Sequence, residues 1–502
     1  MSRTTTTDPG QQRRVAYIHS QELIEAADAL PSNLGRASLV HHLVDALDLL
    51  DLDPDAPHTA EHRDDPAELD DVQTTAQPRL ARGKVMEPLS ATRDMLARFH
   101  DLKYIDALLG KADASSNDSD SDDQDSQEDQ LEPIDRSSFR LVAATSTADD
   151  PVSRKRRRLD TAQLVDDCPV FDQLPDYVSL VAGASIRAAR ALRDDEADVA
   201  IAWTGGRHHG KRGVAAGFCY INDIVLAIQE LRSPPKSRPR PPLHSPPESY
   251  DEPPPRKPAK ISRVLYLDLD LHHGDGVESA FFTSPYVLTL STHLHAPLFF
   301  PSTGSLDSHG PSTGNASYHA LNLALEPGLS SSTLLRLFES SIDPIFRAFD
   351  PDAVVVQCGA DGLQGDPCAE WNLSAYGMGE IVKKVVEGWG RKTLLMGGGG
   401  YDNANAARCW AYLTSVALGR PLPLERTEIP CSLESDEYEL YQDSFTLDVP
   451  EGQRKDMNTE EKIRHVEEVF KAYVGKLEER YTTRKKSKRE GAAPSEGKGV
   501  GP

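Results

Sequence analysis

The chain has few of the residues that staple or anchor a protein. There are 6 cysteines in 502 residues, none in a Cys-x-x-Cys pair, which excludes a disulfide scaffold and a zinc ribbon. No apolar run reaches the roughly 18 residues of a membrane-spanning helix, so an integral membrane protein is not expected. Met1–Thr7 lacks the apolar core of a cleaved leader, so secretion by that route is not expected either. Together these features read as an intracellular, reduced chain. Cations are also short: 55 Lys and Arg stand against 79 Asp and Glu, a net charge of −24. That balance speaks against direct nucleic-acid binding and for a basic partner.

What is abundant is unevenly spread. Residues 1–14 form a polar tail. Residues 110–160 carry acids from Asp113 to Asp135 with no intervening Lys or Arg, then Arg154-Lys155-Arg156-Arg157-Arg158. Residues 233–260 are rich in proline, and 481–502 are basic and then glycine-rich. Such compositions cannot bury a core and are expected to be loose. The basic run reads as a nuclear-import signal, with cytoplasmic residence also open. The rest divides into a catalytic domain at 15–425, interrupted by the two inserts, and an extension at 426–480. In that extension Ile463, Val466, Phe470, Tyr473 and Leu477 recur at helical spacing, with Asn458 as the expected N-cap and Glu461 three residues on.

Within 15–425, near-continuous apolar runs at 199–203, 264–267, 286–290, 353–356 and 393–396 alternate with helical patterns. Runs of this length suit strands buried on both faces, which predicts an α/β protein with a mostly parallel sheet covered by helices on both sides. Ligands of such sheets sit beyond the carboxyl ends of the strands. Directly after four of the runs stand Thr204-Gly205-Gly206-Arg207-His208-His209, Asp268-Leu269-Asp270-Leu271-His272-His273-Gly274-Asp275, Gln357-Cys358-Gly359-Ala360-Asp361 and Gly397-Gly398-Gly399-Gly400-Tyr401.

If the second segment stays extended, Asp268, Asp270 and His272 face one way. Asp270 and His272, with Asp361 from a neighbouring strand end, offer one nitrogen and two oxygens. That set suits catalytic zinc, with iron(II) as the alternative. His208 and His209 offer acid–base catalysis, each held by a carboxylate, for which Asp268 and Asp275 are available. The glycine run lacks the Lys-Ser/Thr of a phosphate loop and ends instead in Tyr401, a donor for an oxyanion.

These segments, with Ala-Gly-Phe-Cys-Tyr-Ile-Asn-Asp at 216–223 and Gly-Asp-Pro at 365–367, resemble the class I zinc-dependent histone deacetylases. The resemblance implies the arginase/deacetylase α/β fold and hydrolysis of acetyl-lysine amides to lysine and acetate. It implies acetylated histone tails as substrates, corepressor complexes as partners, and a part in transcriptional repression. By position it makes Asp270, His272 and Asp361 the zinc ligands. His208 and His209 become the acid–base pair with Asp268 and Asp275, and Tyr401 the hydroxyl on the acetyl carbonyl. It places Asp167 at the rim, Phe218 and Phe300 as walls around the lysine chain with Gly217 along the tunnel, and Arg36 at an acetate-release pocket. A structural potassium site would draw on Asp268, Asp270, His272, Ser291 and Thr292. Departures from the family pattern are Gly210, Ala216, Arg207 at the rim in place of an aromatic, and Cys368 where Leu or Met often lines the pocket. The rival readings are an acetylpolyamine or other small-molecule amidohydrolase on the same fold, and an arginase-like binuclear enzyme. The second would want an acid where Gly274 stands.

Overall fold

The computed structural model describes residues 13–51, 81–111, 162–235 and 260–490, with side chains to residue 481. The acidic run, the Arg154–Arg158 cluster, most of the proline-rich stretch and residues 491–502 lie outside the described residues.

The β-branched and aliphatic runs become strands because each can bury both faces. Among the described residues there are β1 (Val15–Ile18), β2 (Leu50–Asp51), β3 (Gly83–Met86), β4 (Val199–Ala202), β5 (Val264–Asp268), β6 (Val287–Leu294), β7 (Ala320–Leu325), β8 (Ala353–Gln357) and β9 (Lys392–Met396). They form one sheet in the order β2-β3-β1-β4-β9-β8-β5-β6-β7, and every neighbouring pair is parallel. Side chains alternate between two core layers. Leu265, Leu267, Val354 and Val356 belong to one; Val264, Tyr266, Ala353 and Val355 belong to the other. Helices Leu174–Arg193 and Asp223–Leu231 cover the second layer. Helices Arg36–Ala46, Ala375–Lys383, Asn403–Ala417 and Glu460–Glu490 cover the first. Each fully buried aliphatic side chain contributes about 1.5–3 kcal/mol, so the two layers hold the sheet rigidly.

The strand order places the chemistry. β4, β9, β8, β5 and β6 are consecutive neighbours, with Ala202 opposite Met396, Gln357 opposite Met396, and Asp268 opposite both Gln357 and Ser291. The four functional segments therefore leave four adjoining strands at one edge.

The C-terminal amphipathic helix is present, and Ile463, Val466, Phe470, Tyr473 and Leu477 are all buried. Its start differs from the expectation. Asn458 is pinned to Glu326, accepting from its N–H at 2.8 Å and donating to its carbonyl at 3.2 Å. Thr459 caps the helix instead, its hydroxyl accepting from Lys462 N–H at 3.3 Å. The helix also continues to Glu490, into the stretch expected to be a loose tail. No helix among the described residues is long and apolar enough to cross a membrane.

Candidate active site

After β4 the chain turns sharply inward, and the buried carboxylate of Asp223 holds that turn by accepting from Gly206 N–H at 3.0 Å and Arg207 N–H at 2.8 Å. Asn222 steadies the backbone beyond the two histidines, donating to the Gly210 carbonyl at 2.9 Å. Both histidines are thereby fixed. His208 Nδ1 hydrogen-bonds Asp268 Oδ2 at 2.9 Å, and His209 Nδ1 hydrogen-bonds Asp275 Oδ1 at 2.8 Å. Burial lowers the basicity of His208, but the charges of Asp270 and Asp268 outweigh it and hold the ring up at about 9. Burial and the neighbouring His208 hold His209 down at about 3.

β5 ends at Asp268, and the segment does not stay extended. Asp268 Oδ1 accepts from Asp270 N–H at 3.2 Å, and Asp270 Oδ1 accepts from His272 N–H at 3.0 Å. These successive turns, rather than strand alternation, set the carboxylates side by side. Asp361, beyond β8, bridges across. Its Oδ1 accepts from Leu271 N–H at 3.0 Å, and its Oδ2 lies 2.9 Å from His272 Nδ1. Asp270 Oδ1 stands 3.4 Å from the same nitrogen and 3.7 Å from His208 Nε2. Burial and the charge of Asp270 push the Asp361 carboxyl up to about 7. Despite burial, hydrogen bonds to Asp270 and Asp361 raise His272 to about 10.

The glycine run after β9 passes against this cluster. Gly399 N–H donates to Asp270 Oδ2 at 2.9 Å, and a Cβ on Gly399 would overlap the carboxylate of Asp361. Tyr401 comes next but one, its backbone N–H donating to Asp366 Oδ2 at 2.7 Å. Burial, with Asp361 and Asp270 nearby, keeps its phenol protonated well above the ordinary range.

The way in is aromatic. Phe300 meets His209 edge-on at 4.8 Å between ring centres, and Phe218 meets Tyr401 at 5.7 Å. Gly217 adopts φ +52°, and a Cβ there would strike both His209 and Phe300. Asp167 is exposed, next to the fully buried Cys168. Arg36 lies apart, behind the glycine run, donating to the carbonyls of Gly400 at 2.6 Å and Gly398 at 3.1 Å. It lines a small separate pocket with Asn33, Trp203, Thr204 and Arg207. Arg207 is therefore not at the rim. The turn held by Asp223 sends its side chain inward, leaving it 5% exposed.

The sequence matches the model of the histone deacetylase domain over residues 62–238 and 256–417. It is 31% identical over 459 residues to histone deacetylase 8 of Xenopus tropicalis, covering 91% of this chain and 97% of that protein. It is 32% identical over 470 residues to histone deacetylase 8 of Danio rerio, covering 94% and 97%. With histone deacetylase 9 of Arabidopsis thaliana it shares 40% over 300 residues, covering 60% and 62%. This chain belongs to the histone deacetylase family. It is a hydrolase that deacetylates lysine amides, on the α/β fold of that family.

A histone deacetylase of this family depends on a metal, and the residues at the strand ends fit one. Two carboxylate oxygens, from Asp361 and Asp270, lie 2.9 and 3.4 Å from one imidazole nitrogen, His272 Nδ1. The two carboxylates face histidines and no lysine or arginine among the described residues. Buried negative charge of this kind is costly without a cation. Three supporting residues escaped sequence reasoning. Gln357 Nε2 donates to Asp270 Oδ2 at 2.7 Å. Phe299 stacks on His272 at 5.0 Å. Tyr266 donates its hydroxyl proton to Asp268 Oδ2 at 2.7 Å. For Gln357 the available signal was its place directly after an apolar run; nothing in the residues themselves singled out Phe299.

Proposed function

We propose that the chain hydrolyses the acetyl-lysine amide of protein substrates, histone tails above all, with a divalent ion held by Asp270, His272 and Asp361. Zinc fits the donor set, and iron(II) is the alternative. The observation that carries this reading is the convergence of those three donors beside two carboxylate-bound imidazoles and a buried phenol. When bound, such an ion supplies Lewis-acid polarisation and a more acidic water.

The chain's own residues do the rest. Phe218 and Phe300 enclose the lysine methylenes, and Gly217 leaves the width they need. Asp167 accepts hydrogen bonds from the substrate backbone at the mouth, while Cys368 completes the wall. With Nδ1 committed on both rings, Nε2 is the working nitrogen: His209, held neutral, takes a proton from water, and the pair returns one to the departing amine with His208 held as the imidazolium. Asp268 and Asp275 stabilise the imidazolium that forms. Tyr401 donates to the acetyl oxygen as negative charge builds on it. Acetate leaves through the pocket beneath the glycine run, toward Arg36. Potassium would sit among Asp268, Asp270, His272, Ser291 and Thr292. The register of Asp268 with Ser291, and the Thr292 hydroxyl on the Asp268 carbonyl at 3.0 Å, support that grouping.

The net charge of −24 favours encounter with basic histone tails. Nuclear residence, chromatin repression and a corepressor partner rest on Arg154–Arg158 and the family.

The deciding experiment measures metal content alongside turnover of an acetyl-lysine peptide and an acetylated polyamine. Stoichiometric zinc, with peptide turnover lost on chelation and restored by zinc, is expected. A metal-replete protein inert on the peptide overturns the reading. A higher kcat/KM on the polyamine moves it to the small-molecule amidohydrolase.

A further inference from the structure

The pocket wall contains a thiol that this chemistry does not use. Cys368 comes after Gly365-Asp366-Pro367 in a turn whose geometry is set by Asp366. Its Oδ1 accepts from Cys368 N–H at 2.9 Å, and its Oδ2 accepts from Tyr401 N–H at 2.7 Å. One carboxylate therefore anchors the backbone of both Cys368 and Tyr401, holding the sulfur at the reacting side of the pocket. Donor atoms of Cys368, His272 and Asp361 all lie within 4.8 Å of one another. Donors around a tetrahedral ion with bonds of about 2.0–2.3 Å stand roughly 3.3–3.8 Å apart. A sulfur shift on the order of 1 Å, within reach of a rotation about Cα–Cβ, closes the difference. Phe218 and Phe300, the aromatic walls, carry no donor.

We infer that Cys368 is an additional, displaceable ligand of the ion held by Asp270, His272 and Asp361, closing its coordination sphere with sulfur when the pocket is empty. The inference rests on the metal reading above and adds to it. Coordination forms a metal–sulfur bond and breaks S–H. The electron pair stays on sulfur, and the proton passes to the Asp366 carboxylate, whose Oδ1 already accepts from the Cys368 N–H. Entry of an acetyl-lysine side chain displaces the sulfur, which takes the proton back. A soft ligand beside two hard ones favours zinc over harder divalent ions.

The test uses the full chain loaded with cobalt(II), as wild type and as Cys368→Ala, Cys368→Leu and Asp361→Asn. The expected wild-type spectrum has visible d–d bands together with a near-ultraviolet thiolate-to-cobalt charge-transfer band. Both Cys368 variants keep the d–d bands and lose the charge-transfer band, and acetyl-lysine peptide weakens that band in the wild type. Competition with a chelator shows zinc affinity lowered in the Cys368 variants by at least the roughly 10–100-fold that losing an outer-shell partner costs. Wild-type d–d bands without charge transfer, or zinc affinity unchanged in Cys368→Ala, overturn this inference and leave the metal reading standing. Wild type that takes up cobalt no better than Asp361→Asn overturns both.

Discussion

The two ends of the sheet treat carboxylates in opposite ways. At the amino end, Asp195 and Asp198 meet cations from the chain itself. Arg14 Nη2 lies 2.8 Å from each, and Lys392 Nζ lies 2.6 and 2.9 Å from them. Burial would raise Asp198, but its hydrogen bonds to Arg14 and Lys392 win and hold it well below the usual range. At the carboxyl end, Asp270 and Asp361 pair with imidazoles and with no Lys or Arg among the described residues, and Asp361 is driven up to about 7 by burial and by Asp270. One end is complete as folded. The other has only imidazoles for counter-charge among the described residues, which suits the divalent ion proposed above, and the contrast marks the functional edge without reference to any relative.

The largest expected effect comes from breaking the unpaired end. Asp361→Asn removes a ligand charge while keeping the shape, so bound zinc falls well below one per chain and deacetylation drops below detection. Elemental analysis and peptide turnover check it; retention of stoichiometric zinc with full turnover would remove Asp361 from the site. Tyr401→Phe sharpens the comparison by separating charge capture from charge development. Zinc content stays at one per chain, while kcat falls on the order of 10²–10³, the cost of one oxyanion donor. A variant as fast as the parent refutes the role given to Tyr401.

How far the sequence reveals this edge depends on locality. The strand-end segments are legible because each places its reactive groups directly after an apolar run, and parallel α/β sheets put ligands there. What was hidden depends on the path of the chain. Arg207 looks like a rim residue until Asp223, 16 residues away, turns the Gly206–Arg207 backbone inward. Phe299 and Phe300 are neighbours of one type, and only the fold sends one to stack on His272 and the other to face His209. Asn458 precedes a helical pattern and has the right chemistry for a cap, yet Glu326, 132 residues away, claims its side chain. The edge strand β2 and its neighbour β3 are short and, with Gly83 and Lys84, carry no run that marks them.

Gln357 tests how finely the unpaired end is built. It donates to Asp270 Oδ2, and its own carbonyl accepts from Gly359 N–H at 2.8 Å, so it orients the carboxylate without adding charge. Gln357→Ala is expected to lower zinc affinity about 10–100-fold. Turnover is expected to recover at saturating zinc, as measured by chelator competition and metal titration. Unchanged affinity would show that the Gly399 and His272 N–H groups suffice to hold Asp270.

The smallest effect belongs to the paired end, and its sign separates the two. Asp198 has its folded pKa depressed by Arg14 and Lys392. It therefore stabilises the native state above the unfolded value of 3.8, and that stability is lost as pH falls below it toward the folded value. Because the side chain is 39% exposed, solvent screens the pairs and Asp198→Ala is expected to cost only about 1 kcal/mol near neutral pH. Urea unfolding should show that difference shrinking between about pH 5 and pH 3, as the wild type loses what the variant never had. Zinc content and kcat of the folded variant should match the wild type, since the ion pairs of Asp198 are with Arg14 and Lys392 at the amino end. A loss of metal in this variant would mean that the two ends are coupled through the sheet, and that the carboxylates were not divided between stability and catalysis.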